Sequence, residues 1–153
     1  MHKYLAILLG LYSLTVFSQE TSTAPTPYLS EEEMVGYLAR IGYNDPEQLA
    51  EALMHIEELY LYDGGAQLPD PVAIVVHGPE VSVFQKMNYA EHKGIVDLAA
   101  RLTALGILDI SVCETRMDIE GVQEESVYPF VRTVPFGPAE VSRLLDEENY
   151  VYF

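Results

Sequence analysis

Hydrophobic positions recur along this chain in two periods, and the periods alternate. Asp45-Pro46 opens the clearest helical stretch: Asp suits a cap, Pro the first helical position and Glu47 the first turn. Leu49, Leu53, Ile56 and Tyr60 then form one apolar stripe, which predicts an amphipathic helix from Pro46 to about Tyr60, ended by Asp63-Gly64-Gly65. Pro71 to His77 (PVAIVVH) is an unbroken β-branched run closed by Gly78-Pro79, as expected of a strand buried on both faces. Ile95, Leu98, Ala99, Leu102 and Leu105 return to helical spacing up to Gly106, and Ile107 to Cys113 (ILDISVC) reads as a second strand. Val122 to Tyr128 reads as a short helix or turn, and Phe130 to Val134 as a third strand ended by Pro135. Pro138 to Asp146 is a further helix, and Tyr150 to Phe153 a last short strand.

One stretch supports two readings. Ser30 with Glu33 fits a capping box, and Met34, Tyr37, Leu38 and Ile41 follow at helical spacing with Gly42 as a stop. The same residues also alternate, with Val35, Tyr37, Ala39 and Ile41 on one side. Elsewhere, strands alternating with helices predict an α/β fold: a mainly parallel sheet covered by helices on both faces, in three layers. In such sheets the binding crevice lies outside the carboxyl ends of the strands, where His77, Cys113 and Pro135 fall.

The first residues do not fit this pattern. Lys3 gives a basic start, Tyr4 to Phe17 is uncharged and mostly apolar, and Val16 and Ser18 are acceptable at a cleavage site. Residues 1–18 are therefore expected to be a secretory signal peptide. The apolar stretch reaches only about 21 Å as a helix, short of the hydrocarbon core of a bilayer. Residues 19–30, rich in Thr, Ser and Pro, read as a disordered tether, and 31–153 as one domain. A periplasmic or secreted location follows, with no stable membrane insertion after cleavage.

The 153 residues hold 8 Lys and Arg against 24 Asp and Glu, a net charge of −16. That balance argues against unaided binding to nucleic acid or anionic membranes, which need clustered cations. The single cysteine excludes an intramolecular disulfide and a Cys-rich zinc site. No phosphate-binding glycine motif and no GxSxG elbow occurs.

Cys113 is the focus for chemistry. At a strand end it is either a thiolate nucleophile or a small buried hydrophobe. Arg116 would favour the thiolate; Glu114, Asp118 and Glu120 would oppose it. His77, just before Gly78-Pro79, is a candidate base or partner to the thiol, or a strand-end imidazole bonded to backbone. Backbone N–H groups near Gly137, after Pro135 and before a helix, could hold a small anion or form a plain turn. Glu140 in that helix's first turn reads more readily as a dipole-favourable carboxylate than as a base. His55 reads as a surface histidine and His92 as part of a solvated helix face; a site of His77, His92 and Cys113 has no short-range ligand spacing behind it, so no metal is expected.

Several of these segments together resemble the DsrE/DsrF-like family, in particular its exported single-domain members. The carrying residues are Asn44-Asp45-Pro46, Val75-Val76-His77-Gly78-Pro79, Cys113-Glu114-Thr115-Arg116-Met117, Val134-Pro135-Phe136-Gly137 with Glu140, and Asn149-Tyr150-Val151-Tyr152. The likeness spans about residues 37–153. It implies a DsrE-like α/β fold assembled as homo-oligomers, trimers or hexamers. It implies sulfur-relay chemistry, with Cys113 as a persulfide carrier, and a strand over about Tyr37 to Ile41. Thr115 and Arg116 stand where the family commonly has Asn and Thr, so bonding around the thiol differs. Asn149 replaces the usual Gly, which a left-handed turn tolerates.

Two functions follow. In the first, Cys113 takes sulfane sulfur from a small donor and passes it to an acceptor thiol protein, without a cofactor; His77, Gly78, Arg116, Pro135, Gly137 and Glu140 line the binding site. That reading requires the thiol to sit in an open, polar notch. In the second, the protein is a non-enzymatic oligomeric binding protein, Cys113 is structural, and the tyrosines and acidic surface recognise a cationic partner.

Overall fold

The computed structural model describes residues 34–39, 41, 46–63 and 71–152. The expected signal peptide, 1–18, and tether, 19–30, lie outside the described residues. The ambiguous stretch resolves as a strand, β1 (Gly36–Ala39). It is held by parallel pairing on both sides, Leu38 lying opposite Ala73 on one neighbour and Tyr152 on the other. Ladder bonds on two edges outweigh the weak helical pattern of a few residues.

Helix α1 (Pro46–Asp63) follows, with Leu49, Leu53 and Ile56 fully buried as the stripe predicts. Each such side chain stabilises the fold by roughly 1.5–3 kcal/mol. Strand β2 (Val72–Val76) is buried along its whole length because it is central. Two 3₁₀ turns, Pro79–Phe84 and Lys86–Asn88, lead into α2 (Tyr89–Ala104), which kinks at His92. Strand β3 (Leu108–Cys113) runs directly into α3 (Glu114–Glu120), closed by Gly121 in the left-handed conformation at φ 70°. The sequence pattern does not show α3: it is a single short helix that buries only Met117, too little to display a period. The segment Val122–Tyr128 contains a 3₁₀ turn, Glu124–Ser126, and an isolated antiparallel bridge from Val127 to Gln85. Strand β4 (Arg132–Val134), helix α4 (Gly137–Asp146) and strand β5 (Tyr150–Tyr152) complete the chain. Before β5, Asn149 takes φ 55°, the left-handed turn expected there.

The five strands lie in the order β4-β3-β2-β1-β5, and all described pairs are parallel. From β1 to β4 the chain steps across the sheet in one direction. Right-handed crossovers then put α1, α2 and α3 on one face. The last connection must travel back across the sheet to β5, so the same rule sends α4 to the opposite face. The core divides accordingly. Val72, Ile74, Val76, Ile110 and Val112 pack with Leu49, Leu53, Ile56, Leu102 and Met117 on the first face. Leu38, Ala73, Val75 and Tyr150 pack with Leu144, Val141 and Leu145 on the second. The result is the expected three-layer α/β architecture.

Candidate functional site

Strands β3 and β4 are neighbours whose connecting helices leave for opposite faces, α3 to one and α4 to the other. A parallel sheet opens its binding crevice at such a reversal, outside the carboxyl ends of the strands. Cys113 ends β3 opposite Val134 on β4, and is also the residue from which α3 starts. Alternation along β2 and β3 directs Val76 and Val112 to the α1–α2 face. His77 and Cys113, one residue further on, therefore face α4.

Gly137, the first residue of α4, brings them together. A β-carbon placed on it would lie 2.5 Å from the Cβ of His77 and 3.1 Å from the Cβ of Cys113. Only glycine lets the helix start this close to both strand ends. The consequence for Cys113 corrects the sequence expectation. Its side chain is not in an open notch: the residue is 2% exposed, beneath the first turn of α4. His77 beside it is half-buried, and Phe136, at the corner before α4, is 53% exposed.

The remaining candidates fall in different places. Pro135 is exposed, and its carbonyl accepts the Thr115 N–H at 3.3 Å and the Thr115 hydroxyl at 2.8 Å. Thr115 thus ties the β3–α3 corner to the β4–α4 corner. Arg116 pairs with Glu120 one turn along its own helix at 2.5 Å. Most of the N–H groups at the start of α4 are not free for an anion. Pro138 has none, and those of Ala139 and Glu140 point back to the Phe136 carbonyl at 3.1 and 3.2 Å.

Glu140 is likewise drawn away from Cys113. Its carboxylate accepts from Arg143 at 2.8 and 2.9 Å and from Arg132 at 3.3 Å. Arg132 also reaches Asp109 at 3.0 Å, and Arg143 pairs with Glu148. The hydrogen bonds from Arg143 lead in holding the Glu140 carboxyl below its ordinary value, against the opposing effect of burial. Arg143 is in turn held above its usual range, chiefly by Glu140.

Gly78 is buried, and the carboxylate of Glu80 folds back over it, in the space a side chain at 78 would need. Glu80 is only 2% exposed. No sequence pattern signals this acid's burial: one carboxylate after a Gly-Pro turn looks like any other, and only the packing of the 3₁₀ segment encloses it. His55 is exposed on α1, as expected, whereas His92 lies at the α2 kink and is half-buried. Among the described residues no three His, Cys, Asp or Glu side chains converge on a point a metal could occupy.

The described cations are all engaged. Lys93 pairs with Asp97, Arg101 with Glu57, and Lys86 donates to the Glu125 carbonyl at 2.8 Å. The arginines of the preceding paragraphs account for the others. Beside α3 lies a hollow of about 260 Å³ whose rim includes Glu114, Asp118, Glu124 and Glu125.

No family model and no curated protein matches this chain. Among solved structures it is similar to MTH1491 from Methanobacterium thermoautotrophicum, a protein of unknown function. The two are 18% identical with a TM-score of 0.56, over 76% of this chain and 96% of the other. At that identity the likeness shows a shared α/β fold.

Proposed function

We propose that this is an exported DsrE-like sulfur carrier that holds sulfane sulfur on Cys113. The observation that carries this reading is the place of the thiol. It stands at the carboxyl end of β3, where the sheet's connections reverse, with His77 and the first turn of α4 against it. An imidazole beside a thiol can accept its proton as the sulfur attacks.

The transfer balances without an external oxidant. The Cys113 thiolate attacks the sulfane sulfur of a persulfide or polysulfide donor. A new S–S bond forms to Cys113, the donor's S–S bond breaks, and its remaining sulfur leaves with the electron pair as a thiolate. With thiosulfate the leaving group is sulfite. An acceptor thiolate then attacks the outer sulfur and releases Cys113 as thiolate. Export to the periplasm, an acceptor thiol protein and assembly as a trimer or hexamer belong to the same proposal.

Intact-mass measurement after exposure to polysulfide or thiosulfate tests it. The wild type should gain sulfur atoms that reductant removes, and Cys113→Ala should gain none. No cysteine-dependent gain with either donor overturns the carrier reading.

The burial of Cys113 favours a second reading, a binding protein in which the residue is only core. The acidic rim beside α3 suits a cationic partner on that reading. Under it, Cys113→Ala leaves function intact and the native thiol resists alkylation at all denaturant concentrations below unfolding.

A further inference from the structure

We propose that α4 and β5 form a hinged C-terminal unit closed over Cys113, so that the thiol reacts only when this unit opens locally. The inference concerns access to the proposed sulfur-carrying thiol and rests on that reading for its biological meaning; its physical content does not.

Four observations lead to it. First, the start of α4 lies directly against the buried Cys113, Gly137 approaching the β-carbons of both Cys113 and His77. Second, the unit's apolar anchorage is small. Val141, Leu144, Leu145 and Tyr150 of the unit meet Leu38, Ala73 and Val75 of the body, whereas α1, α2 and α3 share the much larger cluster on the other face. Third, β5 is a three-residue edge strand paired with β1 alone. Residues 137–152 are contiguous, so they can lift away without unthreading another strand. Contiguous segments with few buried contacts are those that open well before the whole fold does.

Fourth, the charges are distributed as an anchored body and a movable piece joined at one point. Arg132–Asp109 lies within the body; Arg143–Glu140 and Arg143–Glu148 lie within the unit. Among the described residues, the ion pair that crosses between them is Arg132–Glu140 at 3.3 Å. Thr115 holds Pro135 to the body through two hydrogen bonds, so the hinge begins at the exposed, extended Phe136. Closed, the unit would shield a lone thiol from oxidation. Open, it would present Cys113 and His77 together at the end of the sheet.

The test follows modification of Cys113 in the mature chain by a small aromatic disulfide reagent, at urea concentrations below the unfolding transition. Amide exchange and far-UV circular dichroism are followed alongside. The labelling rate should exceed that allowed by global unfolding at least tenfold and rise far less steeply with urea. Amides in 137–152 should exchange through an opening of the same size, while those of β2 and β3 stay protected to the global limit. Arg132→Gln, which cuts the crossing ion pair, should speed labelling about threefold, and Gly137→Ala about tenfold. Labelling that tracks global unfolding overturns the hinge, as does labelling at the rate of a free thiol. Rates unmoved by both substitutions, or β2 and β3 amides opening with the thiol, overturn it too. Exchange with the aromatic disulfide needs no sulfane-sulfur donor, so a chain that gates normally yet gains no sulfur refutes the carrier reading alone.

Discussion

Gly137 and His77 stand so close that a β-carbon on the glycine would lie 2.5 Å from the Cβ of the histidine. The start of α4 is therefore seated on the end of β2 as well as on Cys113. Both neighbouring atoms are β-carbons, fixed to their backbones, so neither can swing aside as a long side chain would.

Gly137→Ala should accordingly destabilise the protein by about 1–3 kcal/mol, the usual cost of forcing extra volume into a packed site. Gly94 provides the opposite case. It lies exposed within α2 with nothing near its missing β-carbon, so Gly94→Ala should stabilise by about 0.5–1 kcal/mol. Urea titrations of the two variants should move in opposite directions; a Gly137→Ala variant as stable as wild type shows that α4 is not tightly seated.

Glu140 should make stability depend on pH. Its carboxyl is held below the ordinary value of 4.5, first by Arg143, and ionised it bonds two arginines. A depressed folded-state value contributes stability above 4.5, and that contribution is lost as pH falls through the folded-state value. Glu140→Gln should cost about 1 kcal/mol at neutral pH. Wild type and variant should converge in acid, and a gap that stays constant with pH argues against the ion pairs.

Asn149 carries the left-handed turn into β5 at φ 55°. Asn149→Ala should cost about 1 kcal/mol, because an alanine β-carbon crowds the backbone there and lacks the local bonding of asparagine. Asn149→Gly should equal or slightly exceed wild type in thermal melts. Equal stability of the alanine and glycine variants would exclude the strain.

Cys113→Ser should be less stable than Cys113→Ala. At 2% exposure the serine hydroxyl would be taken out of water, at a cost of about 1–3 kcal/mol where no bond replaces those lost. Denaturation of the two variants side by side measures this, and the more stable alanine form is then the better control for sulfur uptake.

The alternation of stripes and β-branched runs was enough to derive an α/β fold, its parallel sheet and most element boundaries. A stripe such as Leu49, Leu53 and Ile56, or the run from Val72 to Val76, records which sides of its own element are buried. It also placed His77, Cys113 and Gly137 near strand ends, because punctuation by Gly and Pro is local chemistry. The tertiary structure decided the rest. It made residues 36–39 a strand, since their ladder partners come from β2 and β5, far along the chain. It sealed Cys113, enclosed Glu80, paired Arg116 with Glu120, and drew Glu140 to Arg143 and Arg132. Periodicity reports how one segment is covered, not by what. Here the cover is α4, placed there because the last crossover must return across the sheet on the face that α1 to α3 leave open.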